Sequence, residues 1–297
     1  MKTNPINKSL QGLISSSVIA GAIMVPASLS AALVSHWTMD NPSPYTNEVS
    51  GGPNMVVDVA TRAPATFDAN ETRMELDFGD PRSTRISASS TSLDIDTFAF
   101  SMIVDPTKIE NYTTLLQKES AAGNTFANYQ RVGWQVQHTE NGNIEFVVRG
   151  TNPGTKDFYG SISVMGASSG IPVGDDYTDP ATYFHIAGGY NSTDGSAYLY
   201  VTQLGGTITS LTGSTATFDS GAAQDTSALS VGSAKSGSDY VSFGAGFDIA
   251  DVQIYDALQS ESDLLFLANN PGVAVPEPGT AILGGMGLLI LFRRRRA

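Results

Sequence analysis

Short runs in which every second residue is apolar or aromatic fill the middle of the chain, and turn-forming residues separate them. The clearest runs cover residues 98–104, 134–138, 144–148 and 250–254. Alternation with a period of two is typical of strands that bury one face. The turn Asn141-Gly142 lies between two of these runs and predicts a β-hairpin. Together the runs predict an all-β fold, an antiparallel two-sheet jelly-roll sandwich.

A second hairpin is predicted between residues 184–190 and 197–201. Its loop, Asn191-Ser192-Thr193-Asp194-Gly195, consists of residues that favour turns. Five ring-bearing residues of predicted strands are expected to be packed in the interior rather than to form a metal site, a serine triad or a sugar platform. They are His36, Trp37, Trp134, His138 and His185.

One short helix is predicted near the C-terminal end of this region. It begins after Ser260, because the acidic Asp263 three positions later completes a capping box. Residues 269–272 contain Asn, Pro and Gly and end the helix, and residues 271–278 are predicted to be a linker. Three apolar residues line one face of the helix: Leu264, Leu267 and Ala268.

The first 32 residues have the composition of a secretory signal peptide. Two lysines give a positive start, and residues 13–25 form an apolar stretch. Ser30 and Ala32 then provide small residues at positions −3 and −1 of a signal-peptidase site. An uncleaved anchor is the alternative, but the apolar stretch is short for a membrane span.

The C-terminal residues show the same two features in reverse order, an apolar stretch followed by positively charged residues. Residues 279–292 are apolar and predict a helix of about 21 Å, which is shorter than a hydrocarbon core of about 30 Å. A transient transmembrane helix is therefore favoured over a permanent anchor, and the arginines that follow hold the C-terminus on the cytoplasmic side. The predicted sorting motif consists of Pro276, Glu277, Pro278, Arg293, Arg294, Arg295 and Arg296.

This order of features resembles the PEP-CTERM sorting signal of Gram-negative and related bacteria. The resemblance covers about the last 23 residues. It implies that the membrane protease exosortase recognises the Pro-Glu-Pro sequence and cleaves nearby. Exosortase and signal peptidase are then the processing partners, and the inner membrane is contacted transiently. An ordinary tail anchor is the alternative.

The region between the two ends is strongly acidic. Residues 33–278 contain 10 basic and 29 acidic residues, a net charge of −19. Such a surface repels nucleic-acid phosphates and anionic lipid, so no nucleic-acid partner is expected. It suits cations, neutral glycans or a salty exterior, and it also promotes solubility alone. The absence of cysteine excludes cysteine nucleophiles and Cys-ligated zinc.

Four pieces of the chain resemble the LamG-like or concanavalin A-like jelly roll of bacterial surface proteins. They are residues 36–40, residues 133–136 with the following hairpin, residues 185–190 with 198–201, and residues 249–258. The last piece is the most specific, because the family ends with an acidic strand that runs into a short helix. The resemblance covers roughly residues 33–270 and implies two stacked antiparallel sheets. It does not imply a single function.

The same resemblance implies a structural calcium ion between an N-terminal loop and the last strand. The matching residues are Asp251 of the strand and Glu48 of the loop 47–52, with Asp40 close by in sequence. Calcium prefers carboxylate and carbonyl oxygens as ligands. The family loop more often has Asp where Glu48 stands, and ordinary solvated acids are the alternative. Calcium is the one cofactor predicted.

The catalytic patterns of this fold are incomplete in the chain. Retaining glycosidases place their carboxylates in Glu-x-Asp-x-x-Glu or Glu-x-Asp-x-Glu, and neither occurs. Asp94-Ile95-Asp96 is too short for this pattern. Residues 183–191 resemble a strand of alginate-lyase-type jelly rolls, but residues 135–138 miss the required Gln-x-His spacing and no Arg-x-Glu-x-Arg strand exists. No catalytic residue is therefore predicted.

The sequence predicts an exported cell-surface or extracellular-matrix protein of a Gram-negative-type bacterium. Its LamG-like domain is expected to bind glycan or protein without catalysis. A polysaccharide-active enzyme, hydrolase or lyase, is one alternative, and a purely structural envelope component is the other. The ligand surface is not identified, although Tyr159, Tyr177 and Tyr240 fall in loop-like stretches where ligands often bind.

Overall fold

The computed structural model describes residues 31–39, 43–57, 65–68, 73–76, 86–105, 114–121, 131–138, 143–151, 159–165, 183–203, 212–215, 228–232, 235–236, 239–240, 248–270 and 272–275. These residues form two antiparallel sheets, a small strand pair and one α-helix. The predicted antiparallel β-sandwich with a short C-terminal helix is confirmed at this level. The predicted signal helix, transmembrane helix and turn Asn141-Gly142 lie outside the described residues.

The strands in chain order are β1 (Leu33–Trp37), β2 (Val56–Val57), β3 (Ala65–Asp68), β4 (Arg73–Leu76), β5 (Ile86–Ala88), β6 (Phe98–Asp105), β7 (Thr114–Ala121), β8 (Arg131–His138), β9 (Ile144–Thr151), β10 (Tyr159–Met165), β11 (Phe184–Asn191), β12 (Ser196–Gln203), β13 (Thr212–Thr215), β14 (Leu229–Val231), β15 (Lys235–Ser236), β16 (Asp239–Tyr240) and β17 (Asp248–Tyr255). The helix α1 covers Glu261–Asn269, and a 3₁₀ turn covers Thr91–Leu93.

The first sheet has the strand order β13-β12-β11-β6-β17-β4-β3. One edge of β17 pairs with β6, while β1 and β4 share its other edge. The second sheet has the order β10-β9-β8-β7-β14-β5-β2, and β15 pairs with β16 separately. Both predicted hairpins are confirmed as the pairs β8–β9 and β11–β12.

The core lies between the two sheets and is built from the faces that the alternation predicts. Phe98 and Phe100 of β6 stack on Trp134 of β8, with ring centroids 4.8 and 5.6 Å apart. Phe146 of β9 meets Phe100 edge-on at 5.1 Å. These aromatic contacts connect the two sheets, because each joins a ring of one sheet to a ring of the other. Trp37 is buried as well, so the predicted interior places of both tryptophans are confirmed.

A register shift in β17 changes which residues face the core. The pairing with β6 slips between Ile249 and Asp251, as in a β-bulge. The core side chains are therefore Ile249, Val252 and Ile254, whereas Ala250, predicted to share their face, is half-buried outside the core cluster. Three polar or amphipathic side chains alternate with them and point away from the core: Asp251, Gln253 and Tyr255.

Helix α1 covers part of the outer face of the first sheet. Its capping box forms as predicted, because Ser260 accepts a hydrogen bond from the Asp263 N–H and the Asp263 side chain accepts one from the Ser260 N–H. Leu264 and Leu267 are buried. They pack against small and aromatic residues of the sheet beneath, which are Ala99, Ala187, Tyr200 and Tyr255. The helix thus gives the first sheet a second apolar layer.

The packed unit is wider than the predicted range 33–270. Ala31 and Val275 are buried in one cluster with Ala99, Tyr255 and Leu267. Val275 belongs to the stretch 271–278 that was predicted to be a linker. In the structure the chain is therefore still docked on the sandwich one residue before the Pro-Glu-Pro sequence.

Candidate functional site

The predicted calcium ligand Asp251 forms a buried hydrogen-bonded pair with His36. Strands β1 and β17 pair so that His36 lies opposite Gln253, which places the imidazole beside the carboxylate of Asp251. The His36 Nε2 and Asp251 Oδ2 atoms are 2.7 Å apart, and Gln253 Nε2 donates to Asp251 Oδ1 over 2.8 Å. The Tyr255 hydroxyl donates to the side-chain amide oxygen Oε1 of Gln253. Both carboxylate oxygens of Asp251 therefore have protein partners.

Burial raises the pKa of the Asp251 carboxyl above its ordinary value. The hydrogen bond and the charge of His36 oppose this shift, and the hydrogen bond from Gln253 opposes it further. A buried carboxylate without such donors is costly, so the pair holds this part of β17 in place.

The loop that the resemblance assigns to calcium lies against β1. Asn47 Oδ1 accepts hydrogen bonds from the His36 N–H, over 3.1 Å, and from the Val49 N–H, over 2.9 Å. The Glu48 N–H donates to the His36 carbonyl over 2.9 Å, and the Glu48 side chain is exposed. The structure thus brings the loop close to the strand that carries Asp251.

The calcium site itself stays a prediction. Asp40 lies outside the described residues. Within the part of the chain that the structure describes, no group of three or more His, Asp or Glu side chains is placed to hold a metal ion. A calcium ion would have to share Asp251 with His36 and Gln253.

A second polar contact on the same outer face joins β6 to β11. The Ser101 hydroxyl and His185 Nε2 are 2.8 Å apart, and both residues are buried. The His185 ring also meets the Tyr200 ring edge-on at 5.7 Å. Burial lowers the pKa of His185 to about 4, so the imidazole is neutral at neutral pH. The expectation that all three histidines are buried strand residues is confirmed.

The outer face of the second sheet carries a row of hydrogen-bonding side chains, which we call the amide row: Gln117, Gln135, Gln137, Glu145 and Ser230. The residues come from four neighbouring strands, β14, β7, β8 and β9, and the register places them side by side. Gln117 Nε2 donates to the Ser230 hydroxyl over 3.1 Å, and Gln135 Nε2 donates to Gln137 Oε1 over 2.6 Å. Gln137 in turn donates to the Glu145 carboxylate.

The amide row is open at one end. Gln117, Gln135 and Ser230 are buried, whereas Gln137 and Glu145 are half-buried. Amide and carboxylate groups can both accept hydrogen bonds, and the amides also donate. The open end therefore offers donors and acceptors of the kind that orient a polar ligand in a binding site.

Sequence patterns did not identify the amide row. The period-two signal showed that Gln135 and Gln137 alternate with core residues, but the partners Gln117 and Ser230 are 113 positions apart along the chain.

Of the three tyrosines expected in loops, Tyr159 begins β10 and Tyr240 ends β16, so those two expectations were wrong. Tyr177 lies outside the described residues.

The predicted sorting residues lie outside the described part of the chain. Among the described residues, no helix is long and apolar enough to cross a membrane.

A family model for the PEP-CTERM protein-sorting motif matches residues 274–296, which confirms the predicted motif. The motif marks a bacterial protein that is exported, sorted to the cell envelope and processed by exosortase. No curated protein matches the chain in sequence.

Solved structures with a similar fold are β-sandwich domains. The botulinum neurotoxin serotype C1 binding domain matches with a TM-score of 0.50 and 9% identity, over 80% of this chain and 51% of that domain. The CBM40 of Ruminococcus gnavus IT-sialidase matches with a TM-score of 0.46 and 14% identity, over 67% of this chain and 97% of its own. The chain spans about half the length of the first neurotoxin domains that it matches, 51% and 50%. These likenesses concern the fold.

Proposed function

We propose that this protein is an exported envelope or matrix protein whose sandwich domain binds a glycan without cleaving it. The sorting motif at residues 274–296 supports the location. The amide row supports the binding, because Gln137 and Glu145 at its open end are only half-buried and carry hydrogen-bonding groups suited to a polar ligand. This row is the single observation on which the binding proposal rests. A shared fold at 9% identity does not carry a ligand from one protein to another.

A neutral glycan fits the charge of the domain better than an acidic one. Residues 33–278 have a net charge of −19, which disfavours polyanions at long range. Amide side chains bind hydroxyl groups through neutral hydrogen bonds, each of which contributes about 1 kcal/mol. Arg149 lies on β9 four residues after Glu145 and carries a positive charge that favours acidic ligands. A test must therefore include an acidic polysaccharide as the competing ligand.

The arrangement around Glu145 supports a binding role over a hydrolytic one. Retaining hydrolysis needs two carboxyl groups about 5 Å apart across the sugar, one as nucleophile and one as acid. Within the amide row, the group that donates a hydrogen bond to Glu145 is the Gln137 amide. An amide can hold a hydroxyl group in place, but it cannot supply the proton that a leaving group needs.

The full-length chain, purified in mild detergent, tests the proposal on an array of neutral and acidic polysaccharides. We expect retention on at least one neutral glycan and no release of sugar fragments. Glu145→Gln keeps the shape of the row and is expected to keep most of the affinity, whereas it would abolish hydrolysis. Turnover of a retained glycan would contradict the non-catalytic proposal. Retention on no glycan would favour a structural envelope role.

A further inference from the structure

The segment just before β1 belongs to the folded sandwich. The Ala32 N–H donates to Asp256 Oδ1 over 2.7 Å, and the Asp256 N–H donates to the Ala32 carbonyl over 3.0 Å. These reciprocal bonds continue the pairing of β1 with β17, in which Leu33 lies opposite Tyr255. Ala32 is thus bonded to Asp256, the residue after β17, by one backbone–backbone and one backbone–side-chain hydrogen bond.

Ala31 extends this docking into an apolar cluster. It is 4% exposed and packs with Ala99, Tyr255, Leu267 and Val275. The backbone of Val275 also hydrogen-bonds to the Tyr255 hydroxyl. The segment before β1 and the segment before the sorting motif therefore pack into one cluster around Tyr255.

Cleavage after Ala32, as the sequence pattern first suggests, would remove both alanines from this arrangement. The Asp256 side chain would lose its donor, and the cluster around Tyr255 would lose one of its buried members. Signal peptidase acts before the domain folds, so the fold does not steer the enzyme. It does show which residues the mature domain uses.

The sequence provides another site two residues earlier. Ser28 and Ser30 are small residues at positions −3 and −1 of the bond between Ser30 and Ala31. We infer that signal peptidase cleaves this bond, so that the mature chain begins with Ala31 and keeps the residues that dock on Asp256 and Tyr255. The inference rests on the proposed export and is independent of glycan binding.

The intact mass and the N-terminal sequence of the exported protein test the inference. The full chain is produced with its own leader in a Gram-negative host, and the exported form is purified. We expect a chain that starts at Ala31. A start at Leu33 or at Ser28 overturns the assigned bond but leaves export intact. An exported product that keeps residues 1–30 overturns the inference and leaves the proposed export intact, whereas a chain recovered only from the cytoplasm overturns both.

Two leader variants separate the candidate bonds, since each alters a residue that matters for one of them alone. Ser28→Arg places a large charged residue at position −3 of the Ser30–Ala31 bond, and we expect at least tenfold less mature protein. Ala32→Gln alters position −1 of the later bond and keeps the backbone bonds to Asp256. We expect its cleavage to continue before Ala31. The opposite pattern, in which Ala32→Gln blocks cleavage and Ser28→Arg does not, overturns the inference.

Discussion

The outer faces of the two sheets both carry polar side chains, and among the described residues they differ in how completely the hydrogen-bonded polar groups are enclosed. On the first sheet, Asp251, Gln253 and His185 are buried, and helix α1 packs on the same face. On the second sheet, Gln137 and Glu145 stay half-buried at the end of the amide row. Polar groups that are enclosed with their partners stabilise one arrangement of the chain, whereas groups at an open end can exchange water for a ligand. We therefore expect the first outer face to contribute mainly to stability and the second to carry the proposed binding.

Removing the apolar cover of the first sheet should have the largest effect. Leu264→Ala leaves a cavity beside Ala187 and Tyr200 and is expected to lower the free energy of unfolding by about 2–5 kcal/mol. Leu265→Ala is the matched control on the same helix, because Leu265 is 41% exposed, and its effect should stay within about 0.5 kcal/mol. Urea unfolding measures both. Equal effects would show that α1 is not a structural cover.

Acid should weaken the first outer face through His185. The folded-state pKa is about 4 and the ordinary value is 6.5, so the unfolded chain binds the proton more readily. Stability is then complete above pH 6.5 and falls as the pH drops towards 4, by on the order of 3 kcal/mol. Asp251 acts in the opposite direction, because its raised pKa contributes stability that is lost as the pH rises.

The variant His185→Gln checks this assignment, since it keeps a hydrogen-bonding group near Ser101 but cannot titrate. We expect its free energy of unfolding, measured in urea between pH 6.5 and 4, to fall less steeply than that of the natural chain. An unchanged slope would mean that another group causes the acid sensitivity.

Replacing Gly189 by alanine should disturb the close contact between the first sheet and the segment that leads into α1. A Cβ atom there would lie 2.7 Å from the Phe98 carbonyl oxygen and 2.8 Å from Leu258 Cδ2, closer than real contacts allow. Gly189→Ala is expected to cost about 1–3 kcal/mol in unfolding experiments. The double variant Gly189→Ala with Leu258→Ala should show coupling, because it removes one of the two clashes. Strict additivity would contradict the predicted contact with Leu258.

Calcium should have the smallest effect, a rise of a few degrees in Tm if the site forms. Glu48→Gln is the cleaner variant, since Glu48 is exposed and its loss should not disturb the fold. We expect calcium to raise the Tm of the natural chain more than that of Glu48→Gln, and magnesium to have less effect. An unchanged Tm in the natural chain would contradict the calcium prediction and leave the Asp251–His36 pair with a structural role.

Local patterns predicted much of the fold and little of the candidate binding site. The strand containing Phe98 and Phe100, the β8–β9 hairpin and the capping box of Ser260 each depend on neighbours within a few positions, which the sequence displays directly. Ala250 was predicted to face the core, but the bulge after Ile249 gives that place to Ile249. Local sequence does not show such a shift, because strand register depends on the partner strand. The amide row was not predicted for the same reason, because its residues come from strands whose pairing cannot be read from local sequence.

Long-range pairing also explains why the ends of the folded unit differ from those predicted. The small residues before β1 fit a signal-peptidase site by composition, but their contacts with Asp256 and Tyr255 cross more than 200 positions of the chain. Likewise the Gly-containing stretch before Val275 has the composition of a linker, yet Val275 is buried. Composition does not show which residues a distant strand will cover.

We propose that the second sheet binds the ligand and that the first does not, and one matched pair of amide substitutions tests this difference directly. Gln137 lies at the open end of the amide row, and Gln203 is an exposed amide at the end of β12 in the first sheet. The affinity of the full-length chain for the glycan that retains it would be measured by titration calorimetry. We expect Gln137→Ala to weaken binding by about tenfold, which corresponds to the loss of one or two hydrogen bonds, and Gln203→Ala to change it less than twofold. Equal affinities of the two variants, or a greater loss in Gln203→Ala, would contradict it.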